Sequence, residues 1–408
     1  MGTVLFTYEF GAGLGHLTPL LSVAERLKPH HRLVFAMRDL ETPAEPIRRA
    51  LGDRAELILG VRWRPLSSGP AATLADALWS AGFGDRAMMG EAARRWQAIL
   101  EEVRPDLIVC DFAPGLRLAA GGRCPMVEVG YGYTVPPAGR LLPPVRPWNP
   151  RIPPTSRARE FQLLAWANEA RAELGGPAID YLADLFQGDQ TFVCTLAELD
   201  PYAAWRSEPT AAPLVPRIRC GPAFSERTGP EIFTYMHANH PRLRDVLAGL
   251  SSSGREAAVY VSGAPAEQVA RLCGRNVRVL RRPAEYTKVL PQAKLAVHHG
   301  GLGTAHTALA AGTPQIMFAH RLEWQVNARG VEMLGAGRQI PPDTGAEALG
   351  ALFAAAADDA GLQAGALRAA ARLRDAHGQD PLGLIAEVCE WRLGGAGAAA
   401  EAAPTDPA

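Results

Sequence analysis

Leu295-Ala296-Val297-His298-His299-Gly300-Gly301-Leu302-Gly303-Thr304 is the stretch from which the fold is read. Leu295–His298 is a short apolar run, expected to be a buried strand. The glycines then permit a tight turn into a helix over Ala305–Ala311, with Gly312 as its C-terminal cap and Pro314 barring continuation. A strand passing through a turn into a helix is the repeating unit of parallel α/β sheets. Free amides at such a helix start, with the helix dipole behind them, bind anions. A diphosphate suits this turn: Gly300, Gly301, Gly303 and Thr304 offer backbone, and His299 adds a donor that can become cationic. The plain alternative is a strand–helix turn beside a core histidine. No G-x-x-x-x-G-K-[ST] occurs, which disfavours nucleoside triphosphate hydrolysis.

The same strand–helix alternation runs outward in both directions. Strands are expected near Val4–Phe10, Arg32–Met37, Glu56–Val61, Leu107–Asp111, Met126–Gly130 and Thr191–Thr195 in the first half. In the second half they fall near Ile232–Met236, Ala257–Ser262, Val277–Arg281, Leu295–His298, Gln315–Phe318 and Arg338–Ile340. A chain of 408 residues exceeds what one core usually holds. Two doubly wound α/β domains are therefore expected, at 1–220 and 221–379, followed by a helix at 380–393 that can pack back on the first domain. Residues 394–408, rich in Gly, Ala and Pro, are expected to form a disordered tail. Prolines recurring between Val135 and Ser156, with Arg140, Arg146, Trp148 and Arg151, predict a long exposed loop on the ligand side.

Composition excludes several function classes. Acidic and basic residues balance at 42 each, so no global field favours a nucleic acid, and any anion must be held locally. The six cysteines have neither C-x-x-C nor zinc spacing, as expected of reduced thiols in a cytoplasmic protein. No leader of signal-peptide type and no run of roughly 18 apolar residues occurs, so export and membrane spanning are not expected. Peripheral membrane contact stays open.

A second candidate site follows the first strand at Gly11-Ala12-Gly13-Leu14-Gly15-His16, with Thr18 as a helix N-cap and Pro19 in the first turn. The spacing departs from the dinucleotide fingerprint, because His16 stands where the third glycine would be. If the strand order is 3-2-1-4-5, strands one and four are neighbours, and His16 can meet Asp111 at the end of strand four. A carboxylate orienting an imidazole is a general-base arrangement. The alternative is that both residues merely cap helices. By the same argument, His237 and Asn239 after the second domain's first strand are candidate phosphate neighbours, and Arg281 and Arg282 end a strand near where a base would lie. Glu323 opens another helix on this side, where its carboxylate can accept from sugar hydroxyls.

Gly13-Leu14-Gly15-His16-Leu17-Thr18-Pro19, taken with Val297–Pro314 and Leu322–Gly337, resembles the bacterial UDP-glycosyltransferase-like family. The resemblance implies the GT-B architecture, two facing domains with an interdomain cleft. It also implies a metal-independent, inverting transfer from a UDP- or TDP-sugar, with no resident cofactor, to a small-molecule, lipid or glycan acceptor. By position, His16 would be the catalytic base with Asp111 as its partner. His299, Gly300, Gly301, Gly303 and Thr304 would hold the diphosphate, and Glu323 would contact the sugar. Two departures bear on the donor. Trp324 follows Glu323 where the family commonly has Gln, so the second sugar contact is missing or moves to Gln325. Thr307 stands where the plant branch carries a ribose-binding glutamate. A nucleotide-sugar epimerase of the same fold and a non-catalytic sugar-nucleotide binder are the competing readings.

Overall fold

The computed structural model describes residues 1–11, 14–66, 69–215, 218–378 and 380–401. Ala12 and Gly13 of the first glycine turn, and residues 402–408 of the expected tail, lie outside the described residues. The chain divides into two units: Met1–Ala197 with Pro201–Leu214 and Asp380–Ala408, and Glu198–Asp200 with Val215–Gln379.

The first unit carries a six-stranded parallel sheet of β1 (Thr3–Tyr8), β2 (Arg32–Met37), β3 (Ala55–Leu59), β4 (Leu107–Asp111), β5 (Met126–Gly130) and β6 (Gln190–Val193), ordered β3-β2-β1-β4-β5-β6. Strands β1 and β4 are buried almost throughout, as apolar runs covered on both faces should be. The helix Leu17–Leu27 buries Leu17, Leu20, Val23, Ala24 and Leu27, one stripe at helical spacing, on this core. Its N-cap position is His16 rather than Thr18; the Thr18 hydroxyl instead donates back to the Leu14 carbonyl at 2.9 Å.

The second unit repeats the plan with β7 (Ile232–His237), β8 (Ala257–Ser262), β9 (Val277–Val279), β10 (Leu295–His298), β11 (Gln315–Met317) and β12 (Gly337–Gln339), ordered β12-β11-β10-β7-β8-β9. In each parallel sheet the strand order thus reverses at the centre, between β1 and β4 and between β7 and β10. Ligands of such sheets bind beyond the strand C-termini at these reversals.

Three segments differ from the sequence expectation. Val135–Ser156 is exposed only in part: Val135, Leu142 and Val145 are fully buried, and the helix Pro154–Glu173 begins within it. Backbone and side-chain bonds pin the segment, among them Val145 N–H to the Ala72 carbonyl and Leu142 N–H to Glu160. The division between units falls at Leu214/Val215, ahead of the expected 220/221. The last helix runs Pro381–Glu401, through the start of the stretch expected to be disordered, and buries Ile385 and Cys389 in the first core. Among the described residues no helix is long and apolar enough to cross a membrane.

Candidate active site and donor site

In the first unit β1 and β4 are in parallel register with Tyr8 opposite Asp111. Asp111 ends β4, and His16 enters the helix after β1, so their side chains converge. His16 Nδ1 lies 2.7 Å from Asp111 Oδ2, with 3% and 0% of the side chains exposed. Neither residue serves as a mere cap: the His16 ring makes no cap bond, and the Asp111 carboxylate is spent on His16 and on Thr134, whose hydroxyl reaches Oδ1 at 3.3 Å. The other imidazole nitrogen, Nε2, lies 3.3 Å from the Tyr131 hydroxyl. Tyr8, Tyr131 and Phe112 surround the ring at 5.5, 5.6 and 6.1 Å between centroids. Gly11 has φ +99, and a Cβ there would sit 1.9 Å from Nε2. Only glycine leaves room for the ring.

Two buried glutamates brace this pair. Glu128 on β5 accepts the Phe112 N–H at 3.0 Å and the Cys110 thiol at 3.1 Å, gripping both neighbours of Asp111. Burial, with the Asp111 charge adding to it, pushes the Glu128 carboxyl up to about 8. Glu9, one residue past β1, accepts from the Gly115 N–H at 2.6 Å and from the Trp96 indole. Burial pushes it up to about 7. The sequence reading missed Tyr131, Thr134 and both glutamates. Tyr131 directly follows β5, next to β4, so the strand-order argument that reached Asp111 extends to it.

In the second unit the helix begins at Leu302, earlier than expected, and runs to Ala311 with Gly301 at its N-cap and no side-chain cap. The amides there face outward without a capping side chain. Gly303 lies in the first turn, and a Cβ built there meets nothing within 4 Å. Gly300 is the left-handed residue, at φ +94, with the Trp324 carbonyl 3.1 Å from where its Cβ would be. Asn327 Nδ2 donates to the Gly300 carbonyl at 3.0 Å, and the Gly300 N–H donates to His298 Nδ1 at 3.0 Å.

His299 is 4% exposed, its ring 4.5 Å from His237, 5.1 Å from Tyr235 and 4.2 Å from Trp324. Its Nδ1 is buried and has no hydrogen-bond partner among the described residues. The expectation that His299 becomes cationic is corrected: burial, with the neighbouring histidines and Arg321 adding to it, pushes its pKa down to about 2. It offers a neutral ring. His237 joins this cluster and is held by the Ser262 hydroxyl at 2.6 Å. Thr304 is within hydrogen-bonding reach of Tyr286.

Asn239, Arg281 and Arg282, also expected as donor contacts, are not drawn into this cluster. Asn239 is exposed on the turn after β7. Arg281 is exposed and paired with Glu267 at 3.2 Å, and Arg282 is exposed. Glu323 and Gln325 are half-buried in the first turn of the helix Leu322–Met333. Trp324 turns inward, 7% exposed, and packs between His299, His240 and His320. His240 and His320 are too far from the glycine turn in sequence for spacing to have revealed them.

Two doubly wound six-stranded domains, with a His–Asp pair at the reversal of one and a glycine-capped helix start at the reversal of the other, define the GT-B class. The solved structure "CalG4, the Calicheamicin Glycosyltransferase" is similar in fold at TM-score 0.64, with 19% identity over 97% of this chain and 98% of that one. "Glycosyltransferase VinC in complex with DTDP" matches at TM-score 0.60, with 15% identity over 94% and 99%. Residues 244–389 match the family described as Erythromycin biosynthesis protein CIII-like, C-terminal domain. In fold and in part of its sequence the chain is similar to glycosyltransferases of GT-B, family 1-like type. The relatives carry transferase names. TDP-daunosamine transferase DnrS of Streptomyces peucetius is 36% identical over 102 residues, 25% of this chain and 23% of the relative. The 3-alpha-mycarosylerythronolide B desosaminyl transferase of Saccharopolyspora erythraea is 26% identical over 307 residues, 67% and 65%. The alignments to both thus span less than two thirds of the relatives' own lengths.

Proposed function

We propose that the protein is an inverting, metal-independent glycosyltransferase that moves a sugar from a nucleotide diphosphate to a hydroxyl of a small-molecule acceptor. The observation that carries this reading is the buried His16–Asp111 pair at 2.7 Å. The name of TDP-daunosamine transferase and the DTDP bound by VinC favour a TDP-linked donor. Six free cysteines fit a cytoplasmic enzyme.

An acceptor hydroxyl resembling water, with a pKa of about 15.7, is not deprotonated beforehand by an imidazole of ordinary pKa near 6.5. Proton removal accompanies bond formation. As the acceptor oxygen attacks the anomeric carbon, its proton passes to His16 Nε2, and Asp111 stabilises the imidazolium through Nδ1. The bond from the anomeric carbon to the diphosphate breaks on the opposite face, which inverts that carbon. The amides of Gly301, Leu302, Gly303 and Thr304 take the charge growing on the departing diphosphate, and they supply this stabilisation without a cation. Glu323 and Gln325 are the proposed sugar contacts, and His299 with Gly300 the further diphosphate contacts.

Product analysis after incubation with TDP-sugars and a panel of hydroxyl-bearing small molecules in EDTA tests the reading. A new glycoside of inverted configuration is expected, whereas an epimerised donor, binding without turnover, or a strict requirement for magnesium each contradicts it. An epimerase has no observation in its favour here.

A further inference from the structure

The two nitrogens of the His16 ring face two different oxygens. Nδ1 meets Asp111 Oδ2 at 2.7 Å and Nε2 meets the Tyr131 hydroxyl at 3.3 Å. With the carboxylate accepting from Nδ1–H, Nε2 carries the lone pair and Tyr131 donates to it. That lone pair is the one to which the acceptor's proton must pass. Tyr131 is fixed there by its own turn: its N–H donates to Thr134 Oγ1 at 3.1 Å, and its carbonyl accepts from the N–H groups of Thr134 and Val135 at 2.9 and 3.1 Å. Its ring lies nearly parallel to the imidazole, at 28°, and is 8% exposed. The Thr134 hydroxyl reaches Asp111 Oδ1, so one short turn after β5 touches both members of the pair.

We propose that Tyr131 is a specificity-determining residue, whose hydroxyl occupies the His16 Nε2 lone pair until an acceptor displaces it and so keeps water from being activated in the acceptor's place. This rests on the reading of His16 as the base. In the suppressed side reaction a water oxygen bonds to the anomeric carbon. The bond to the diphosphate breaks with its electron pair staying on the diphosphate, and the water proton passes to Nε2. The products are free sugar and nucleoside diphosphate. Water brings no binding energy from elsewhere with which to displace the phenol, whereas an acceptor held along its whole surface does. A separation of 3.3 Å is long for an O–H···N bond, as suits one that substrate replaces.

Tyr131→Phe keeps the ring and removes the hydroxyl. A nitrogen-detected NMR titration, with the His16 signal assigned by its loss in His16→Ala, should show His16 titrating at higher pH in Tyr131→Phe than in the wild type. The Tyr131 bond stabilises only the neutral ring. The ionisable groups near the pair, among them Asp111, Tyr8, Glu128, Cys110, Cys194 and Arg38, are the same in both proteins. Acceptor-free hydrolysis of TDP-glucose should rise in the variant by up to about tenfold, the factor one ordinary hydrogen bond commands. An unchanged His16 titration overturns the hydrogen bond, and hydrolysis no faster than in the wild type overturns the water-excluding role. Hydrolysis that rises in Tyr131→Phe and persists in the double variant with His16→Ala would instead count against His16 as the base.

Discussion

Glu128 Oε1 accepts the backbone N–H of Phe112 at 3.0 Å, so a buried carboxyl on β5 holds the residue that follows Asp111 on β4. Phe112 has φ +49, a left-handed conformation that a bulky residue adopts only when its surroundings impose it. Its carbonyl in turn accepts from the N–H groups of Glu9 and Phe10. The end of β4, which carries Asp111, is thereby tied through one strained residue to the residues just past β1.

Glu128 and Glu9 make stability depend on pH. Their folded-state values, about 8 and about 7, lie above the ordinary glutamate value. The stability they contribute is fully present below that ordinary value and is lost as pH rises through 7 to 8, because the unfolded chain ionises first. Glu128→Gln cannot ionise, and its amide oxygen still accepts from Phe112. Its melting temperature should therefore fall less than that of the wild type between about pH 5 and about pH 9. Parallel melting curves for the two proteins would contradict the neutral Glu128.

His16→Ala should lower kcat by about 10²–10⁴, the usual contribution of a general base, with TDP affinity nearly unchanged. Asp111→Asn should also slow turnover, since an amide holds the ring but stabilises imidazolium less. The double variant should be little worse than His16→Ala, as residues acting as one unit are not additive. Turnover at saturating donor decides this, and wild-type rates in His16→Ala would refute the assigned base.

His299 sets binding against stability. Its buried Nδ1 has no partner among the described residues, and such an atom costs about 1–3 kcal/mol. His299→Phe keeps the contacts with His237 and Trp324 and removes that atom. Urea unfolding should show equal or greater stability, while calorimetry shows weaker TDP binding. Unaltered TDP affinity would return His299 to a packing role.

Gly300 and Gly303 should separate folding from binding. Gly300→Ala places a Cβ against Trp324 at a left-handed φ and should destabilise the second unit. Gly303→Val meets open space at the helix start and should fold, with TDP binding reduced because the branched side chain covers the outward amides. The loss at Gly303 is steric; its backbone is helical, so no left-handed strain enters. Equal TDP affinity in a folded Gly303→Val would remove the diphosphate from this turn.

The sequence by itself located the twelve strands of the described residues, because most of them are apolar runs between turn residues, a local signal that parallel sheets repeat. It also pointed to a meeting of His16 with Asp111, conditional on a strand order that the fold supplies by setting the ends of β1 and β4 side by side. The turn at Gly300–Thr304 was legible for the same reason: glycine, N-cap and helix lie consecutively in the chain. Tertiary structure alone decided the rest. Burial left His299 neutral, an effect of Tyr235 and His237 on β7 and of Trp324 on the helix Leu322–Met333 closing over one ring. Packing turned Trp324 inward and left Arg281 on the surface with Glu267. The bonds from Glu128 to Phe112 and Cys110, which brace Asp111, and the Tyr131 hydroxyl on His16 Nε2 join residues 16, 18 and 115 positions apart through the sheet, and no local periodicity encodes contacts so separated.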